Sequence, residues 1–163
     1  MTVRFSCRCP NADYLGFEAT PEAIIAAAVK AEALGFDAVF VNDHIIVDNA
    51  PRSAPWTNTY DPFVALSFIA ANTTRIDLGI SVLIVPYRNP IATAKMLATL
   101  DRMSSGRLIA GVGVGWKEAE FRTVRPVLGV AIASLALAGF MAPGRGATLA
   151  GSSTMTMKQS QNS

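Results

Sequence analysis

Three dipeptides punctuate the chain at comparable intervals: Thr20-Pro21, Asp61-Pro62 and Asn89-Pro90. Each pairs a side chain that can accept from the free N–H groups of a first helical turn with a proline. Proline suits that turn because its missing N–H costs nothing there. Each is preceded by a short apolar run too brief for a helix. Val3–Arg8 reads as a first strand. A helix from Pro21 carries Ile24, Ile25, Ala28, Val29 and Leu34 and stops at Gly35. The run FDAVFVN, Phe36–Asn42, reads as a second strand, nearly all apolar as for a parallel strand covered on both faces.

A polar loop over Asp48–Thr59 leads to a second helix through Phe63, Leu66, Phe68 and Ile69 to about Thr74. Ile76–Val85 is the third strand, and a third helix passes Ala94, Met96, Leu97 and Leu100 to end near Gly106. Arg107–Val112 is the fourth strand. Each strand-to-strand spacing fits one strand–helix–strand crossover, so the sheet is parallel with helices outside it. Crossovers of this kind are right-handed. Two architectures satisfy the pattern: an open doubly wound sheet, or about four units of a (β/α)8 TIM barrel with sequential strand order. The stretch Gly111-Val-Gly113-Val-Gly115-Trp116 fails the G-x-G-x-x-G fingerprint from either starting glycine, and it follows the fourth strand rather than the first. This counts against a dinucleotide-binding sheet. Glycines here also serve simply to turn the chain sharply.

Composition narrows the class. Of 163 residues, 51% are hydrophobic and 16% charged, which excludes disorder for most of the chain. A net charge of +2 gives no nucleic-acid footprint. The charge is uneven: residues 1–120 hold all 12 acids and 10 bases, whereas residues 121–163 hold four bases and no acid. Cys7 and Cys9 are too few for a disulfide framework, and with His44 the sole histidine they do not complete a zinc site. They read as inert thiols. The N-terminus lacks a basic region followed by an apolar run, so a cytoplasmic setting is expected.

Asn42-Asp43-His44 follow the second strand, at the strand end where ligands bind in both architectures. An imidazole there can exchange a proton near neutral pH, and Asp43 can orient it or bond a ligand. The bland alternative is a surface histidine beside an acid. Gly79, inside the third strand, marks either a close backbone approach or ordinary strand packing. Trp56 and Trp116 could wall a cavity or pack on loops, and Tyr60 and Tyr87 have no distinguishing context. Lys117, Glu118 and Glu120 open the next helix and read as its solvated face.

The strings FDAVFVNDH and GISVLIVPYRNPIATAKMLATLDRMSSGRLIAGVGVGW, with an EF pair shortly after, resemble the luciferase-like monooxygenase superfamily. The likeness is strongest to its branch of oxidoreductases using the deazaflavin coenzyme F420, and covers about residues 10–123. The resemblance implies a (β/α)8 barrel binding F420, or alternatively FMN, at the C-terminal ends of its strands. It implies Asp43 as a cofactor contact, His44 as the acid or base, and a non-proline cis peptide at Ser81-Val82 forming a bulge behind the cofactor ring. The reaction would be hydride or oxygen transfer to a small organic substrate. Departures are also present. Trp116 stands where sugar-phosphate dehydrogenase members carry an acid, and Ile84 and Val114 replace polar cofactor contacts. These argue against that particular substrate. Arg8 stands where a small or apolar residue is expected.

The pattern stops near residue 124. Residues 127–142 (VLGVAIASLALAGFMA) are uncharged and mostly apolar, and the polar end GSSTMTMKQSQNS shows no strand–helix rhythm. Residues 1–124 therefore read as a half-barrel, and 125–163 as an atypical tail from truncation or a shifted reading frame. The apolar run is short for a membrane span of roughly 17–25 residues. A sticky helix across the exposed edge of the fourth strand is the preferred reading. Phosphate-binding barrels commonly use loops after strands seven and eight. A chain with only four units is thus expected to hold F420 or FMN weakly or not at all, to be an inactive fragment, or to pair as a homodimer of half-barrels. A small membrane-tethered domain is a further alternative.

Overall fold

The computed structural model describes residues 3–47, 58–124, 148–150 and 154–158. In chain order the elements are β1 (Ser6–Arg8), α1 (Pro21–Ala33), β2 (Ala38–Val41), α2 (Pro62–Asn72), β3 (Asp77–Ile84), α3 (Pro90–Met103), β4 (Leu108–Gly113), α4 (Glu118–Val124), β5 (Thr148–Ala150) and β6 (Thr154–Lys158). A short 3-10 turn, Val85–Tyr87, follows β3. All three cap-plus-proline starts are used. Thr20 Oγ1 accepts from Ala23 N at 3.2 Å. Asp61 Oδ1 accepts from Phe63 N and Val64 N, and Asn89 Oδ1 from Ile91 N and Ala92 N, at 2.9–3.1 Å. Beyond α1, Gly35 takes the left-handed conformation (φ +85°) that lets the chain leave the helix.

The strand order is β1-β2-β3-β4-β6-β5, with the first four parallel. A doubly wound sheet reverses its order at a switch point, and this one does not. The sequential order is that of a barrel wall, half of eight strands. Residues in register across parallel strands share a face. One face carries Val39, Val41, Leu78, Ile80 and Leu108, and packs with Ile24, Ala28, Phe63, Leu66, Ile69, Leu97 and Leu100 into the core beneath the helices. Phe68, Met96 and Val29, expected on helix apolar faces, are exposed instead. The other face carries Arg8, Phe40, Gly79 and Ile109 in register, the inner wall of the cylinder. Gly79 belongs to strand packing: a Cβ there would lie 2.3 Å from the Phe40 ring.

The free edge of β4 is covered, but not as expected. Residues 127–142 lie outside the described residues. β6 pairs antiparallel with β4, matching Ile109 to Lys158 and Gly113 to Thr154, and β5 pairs antiparallel with β6. The tail thus contributes strands where no regular element was expected. The alternating Thr154-Met155-Thr156-Met157 has the period-two pattern that a strand accepts.

The amino-terminal rim of the parallel strands is a stability face. Arg107 donates to the Ser104, Ala70 and Ile76 carbonyls and to Thr73 Oγ1 at 2.8–3.1 Å, fastening the end of α2 to the α3–β4 turn. Glu32 accepts from the N–H groups of Thr74, Arg75 and Ile76, tying α1 to the start of β3. Arg107→Ala leaves several carbonyls short of donors and costs about 2–3 kcal/mol. A urea midpoint unchanged from the parent would refute this. Burial pushes the Glu32 carboxyl upward, but the backbone donors of Arg75, Ile76 and Thr74 outweigh it and the pKa is lowered from 4.5. A depressed carboxylate stabilises the fold above its unfolded value. That contribution is lost as pH falls below 4.5 through the folded value. Glu32→Gln therefore flattens this part of the acid-unfolding curve, which thermal melts across pH would show.

Candidate functional site

At the opposite rim, β2 ends at Val41, in register with Ile80 of β3. Asn42 is therefore level with Ser81. The buried side chain of Asn11 fixes this corner: its Oδ1 accepts from Asn42 N at 3.1 Å, while its Nδ2 donates to the carbonyls of Asn42 and Tyr60 at 2.9 and 3.1 Å. Asn42 is only 8% exposed, yet neither its Nδ2 nor its Oδ1 has a partner among the described residues. A buried carboxamide without partners is costly and points to a ligand or water that completes it.

Asp43 is buried and bonded on both oxygens. Oδ2 accepts from Ile84 N at 2.9 Å and Arg88 Nε at 3.2 Å, and Oδ1 accepts from Arg88 Nη2 at 2.6 Å. It locks the end of β2 to the end of β3. Burial alone would lower the Arg88 pKa; the bond and charge of Asp43, aided by Asp61, raise it instead. The Arg88 guanidinium also lies 5.1 Å over the Phe63 ring, a stacked cation.

His44 is mostly buried, its Nδ1 3.0 Å from Glu120 Oε2. Glu120 lies on α4 and is 1% exposed. Its Oε1 accepts from both Ile45 N and Ile46 N at 3.1 Å, and Tyr87 Oη donates to Oε2 at 3.2 Å. Burial first, then the negative charge of Glu120, push the Tyr87 phenol well above its ordinary range, so it stays a proton donor. The Tyr87 ring meets Phe121 edge-on at 4.7 Å, and Trp116, half exposed, stands edge-on to His44 at 6.4 Å.

The expectation of a solvated face at Lys117, Glu118 and Glu120 holds only for Glu118, which pairs with Arg122 in the open. Lys117 and Glu120 are buried. α4 is a short helix packed against the rim, so its inward residue meets His44 rather than water. Tyr87 and Arg88 had no context in sequence because their partners lie more than 30 positions away. The EF pair quoted above, Glu120-Phe121, was the one available signal.

Ser81-Val82 is a non-proline cis peptide, and the register with β4 shifts between Ile80 and Leu83. Gly111 of β4 makes room for this bulge: a Cβ there would lie 2.5 Å from the Ile80 carbonyl oxygen. In front of it, on the inner wall, is a cavity of about 410 Å³ bordered by Arg8, Phe40, Ser81, Val82 and Gly111. The sharp turn expected of the glycine stretch occurs at Gly115, φ +77°. Cys7 is half-buried and Cys9 buried, and burial pushes the Cys9 thiol up to about 12, as inert thiols require. Among the described residues no group of three or more His, Cys, Asp or Glu could hold a metal ion, and no helix is long and apolar enough to cross a membrane.

An F420-dependent glucose-6-phosphate dehydrogenase of Amycolatopsis mediterranei (strain U-32) is 38% identical over 97 residues, covering 58% of this chain and 28% of that protein. Coenzyme F420 dependent tetrahydromethanopterin reductase from Methanopyrus kandleri superposes with a TM-score of 0.57 at 30% identity, over 77% of this chain and 30% of the reductase. The oxygenating constituent of 3,6-diketocamphane monooxygenase from the CAM plasmid of Pseudomonas putida, in complex with FMN, shares the fold at a TM-score of 0.69 and 16% identity, over 97% of this chain and 44% of that one. The chain spans well under half the length of the curated relatives it matches. The model of the luciferase-like monooxygenase family matches residues 1–131. With the sequential parallel sheet and the strand-end site beside it, this chain belongs to the luciferase-like monooxygenase family.

Proposed function

We propose that the C-terminal rim of β2 and β3 is the ring-side half of a cofactor site for coenzyme F420, with FMN as the alternative, in an oxidoreductase acting on a small organic substrate. One observation carries this: the register Val41–Ile80 brings Asn42-Asp43-His44 to the same strand-end level as the Ser81-Val82 bulge, and that bulge borders a cavity on the inner wall. The residues fit a flat heteroaromatic ring. The orphaned Asn42 carboxamide offers one donor and one acceptor, and the Ser81-Val82 backbone borders the cavity. F420, when bound, supplies a ring carbon that takes or gives a hydride; FMN supplies reaction with oxygen. Relatives named as F420-dependent favour the first.

The chain's own residues then have separate roles. Ser81 and Val82, which border the cavity, would hold the cofactor ring. Asp43, bonded to Ile84 N and Arg88, holds the rim in shape and borders the cofactor. His44 takes or returns the substrate proton. Trp116, in place of an acid, gives this mouth an apolar wall, which favours a substrate other than a sugar phosphate. Residues 1–124 form the half-barrel unit and 125–163 a tail, the family match running into it as far as residue 131. Cylinder closure by a homodimer would need the β4 edge, which β6 of the same chain occupies.

Among the described residues, the four parallel strands do not bring the loops after strands seven and eight that commonly grip phosphate in such barrels. F420 and FMN should therefore perturb the chain's NMR spectrum with a dissociation constant between roughly 100 µM and 1 mM. Shifts confined to Asn42, His44, Ser81 and Val82 support the site. No shift at millimolar ligand overturns it, and micromolar binding overturns the weak grip. In a full-length relative, the substitution equivalent to His44→Ala should lower turnover by about 10²–10⁴-fold. Unchanged turnover would remove the proton role from His44.

A further inference from the structure

A neutral imidazole carries its proton on Nδ1 or on Nε2, and only the bare nitrogen can act as a base. Glu120 restricts that choice. Its carboxylate is buried at 1% exposure and receives Ile45 N, Ile46 N and Tyr87 Oη. A carboxylate receiving three donors is an acceptor only. The His44 nitrogen 3.0 Å from Oε2 must then be the one carrying hydrogen. We propose that Glu120 is the positioning residue for His44: through Nδ1 it fixes the ring's orientation and tautomer, leaving Nε2 as the basic nitrogen. This assignment rests on the reading of His44 as the proton-handling group, but the tautomer it asserts is a property of the protein without cofactor.

The arrangement resembles the orienting acid of a nucleophile–base pair, in which a buried carboxylate holds the imidazole without itself taking the proton. Three separate segments converge on Glu120. The loop after β2 gives two backbone donors and the imidazole, the turn after β3 gives the phenol, and α4 gives the carboxylate. Glu120 thus couples the position of α4 to the ring that would act on substrate.

His44 is the sole histidine of the chain, so its ring nitrogens can be read by long-range 1H–15N NMR without ambiguity. At a pH where the ring is neutral, the whole chain should show the protonated-nitrogen signature at Nδ1 and the bare-nitrogen signature at Nε2. Glu120→Gln should invert this. Its amide oxygen can keep both backbone donors, which turns its NH2 toward His44 and offers Nδ1 a donor, moving the imidazole proton to Nε2. Tyr87→Phe keeps the carboxylate and should leave Nδ1 protonated, as should the exposed Glu118→Gln. A proton on Nε2 in the parent chain overturns the proposal, whatever the variants do. An unchanged tautomer in folded Glu120→Gln also overturns it. If that variant does not fold, the parent and Tyr87→Phe spectra still decide. Failure of F420 and FMN to bind would undo the functional reading while leaving the tautomer result standing. A cofactor that binds beside an Nε2–H imidazole would do the reverse.

Discussion

Asp43 and Glu120 are carboxylates taken almost wholly out of water, and an ion so placed costs several kcal/mol unless donors replace its hydration. Each is answered in full. Asp43 receives one backbone N–H and a two-pronged guanidinium; Glu120 receives two backbone N–H groups, a phenol and the imidazole. Those donors come from the loop after β2 and from the end of β3 through Arg88, while Glu120 itself sits on α4, after β4. Satisfying two charges therefore fixes the relative positions of three strand ends. The rim is held by directional bonds, whereas the face under the helices is held by non-directional apolar contact.

That difference maps onto the two ends of the sheet. At the amino-terminal rim, Glu32 and Arg107 bond to backbone groups of neighbouring turns. At the carboxyl-terminal rim the Asn42 carboxamide is buried and unanswered, and the β3 bulge opens beside a cavity. A barrel architecture divides its labour in this way, stability at one end and chemistry at the other. The proposed site follows that division.

Much of this was legible in order along the chain because it is local. The cap-plus-proline starts depend on residues two or three apart, and all three helices begin where Thr20, Asp61 and Asn89 put them. His44 and Asp43 could be placed at a strand end for the same reason. Glu120 could not, because helix periodicity says which residues share a side but not what a seven-residue helix packs against. Its burial follows from a partner 76 positions away. Arg88 was equally opaque, being 45 positions from Asp43. The strand pair Thr148–Ala150 and Thr154–Lys158 was missed for another reason. A three-residue strand and a five-residue strand carry too little pattern to stand out beside an apolar run, and their pairing depends on an edge that only the folded sheet presents.

The fold alone does not select the reaction. A monooxygenase constituent in complex with FMN and an F420-dependent reductase both superpose on this chain, so one fold is shared by proteins of different activity. What can distinguish them is the rim. Proton exchange with a substrate oxygen calls for a base whose tautomer is settled before substrate arrives, because a ring free to exchange its two nitrogens presents the wrong one part of the time. Glu120, with its three further donors, is too constrained to swing with the imidazole, so the imidazole must conform to it. On the proposed reading, the buried carboxylate on α4 is the feature that would give a strand-end imidazole a defined direction.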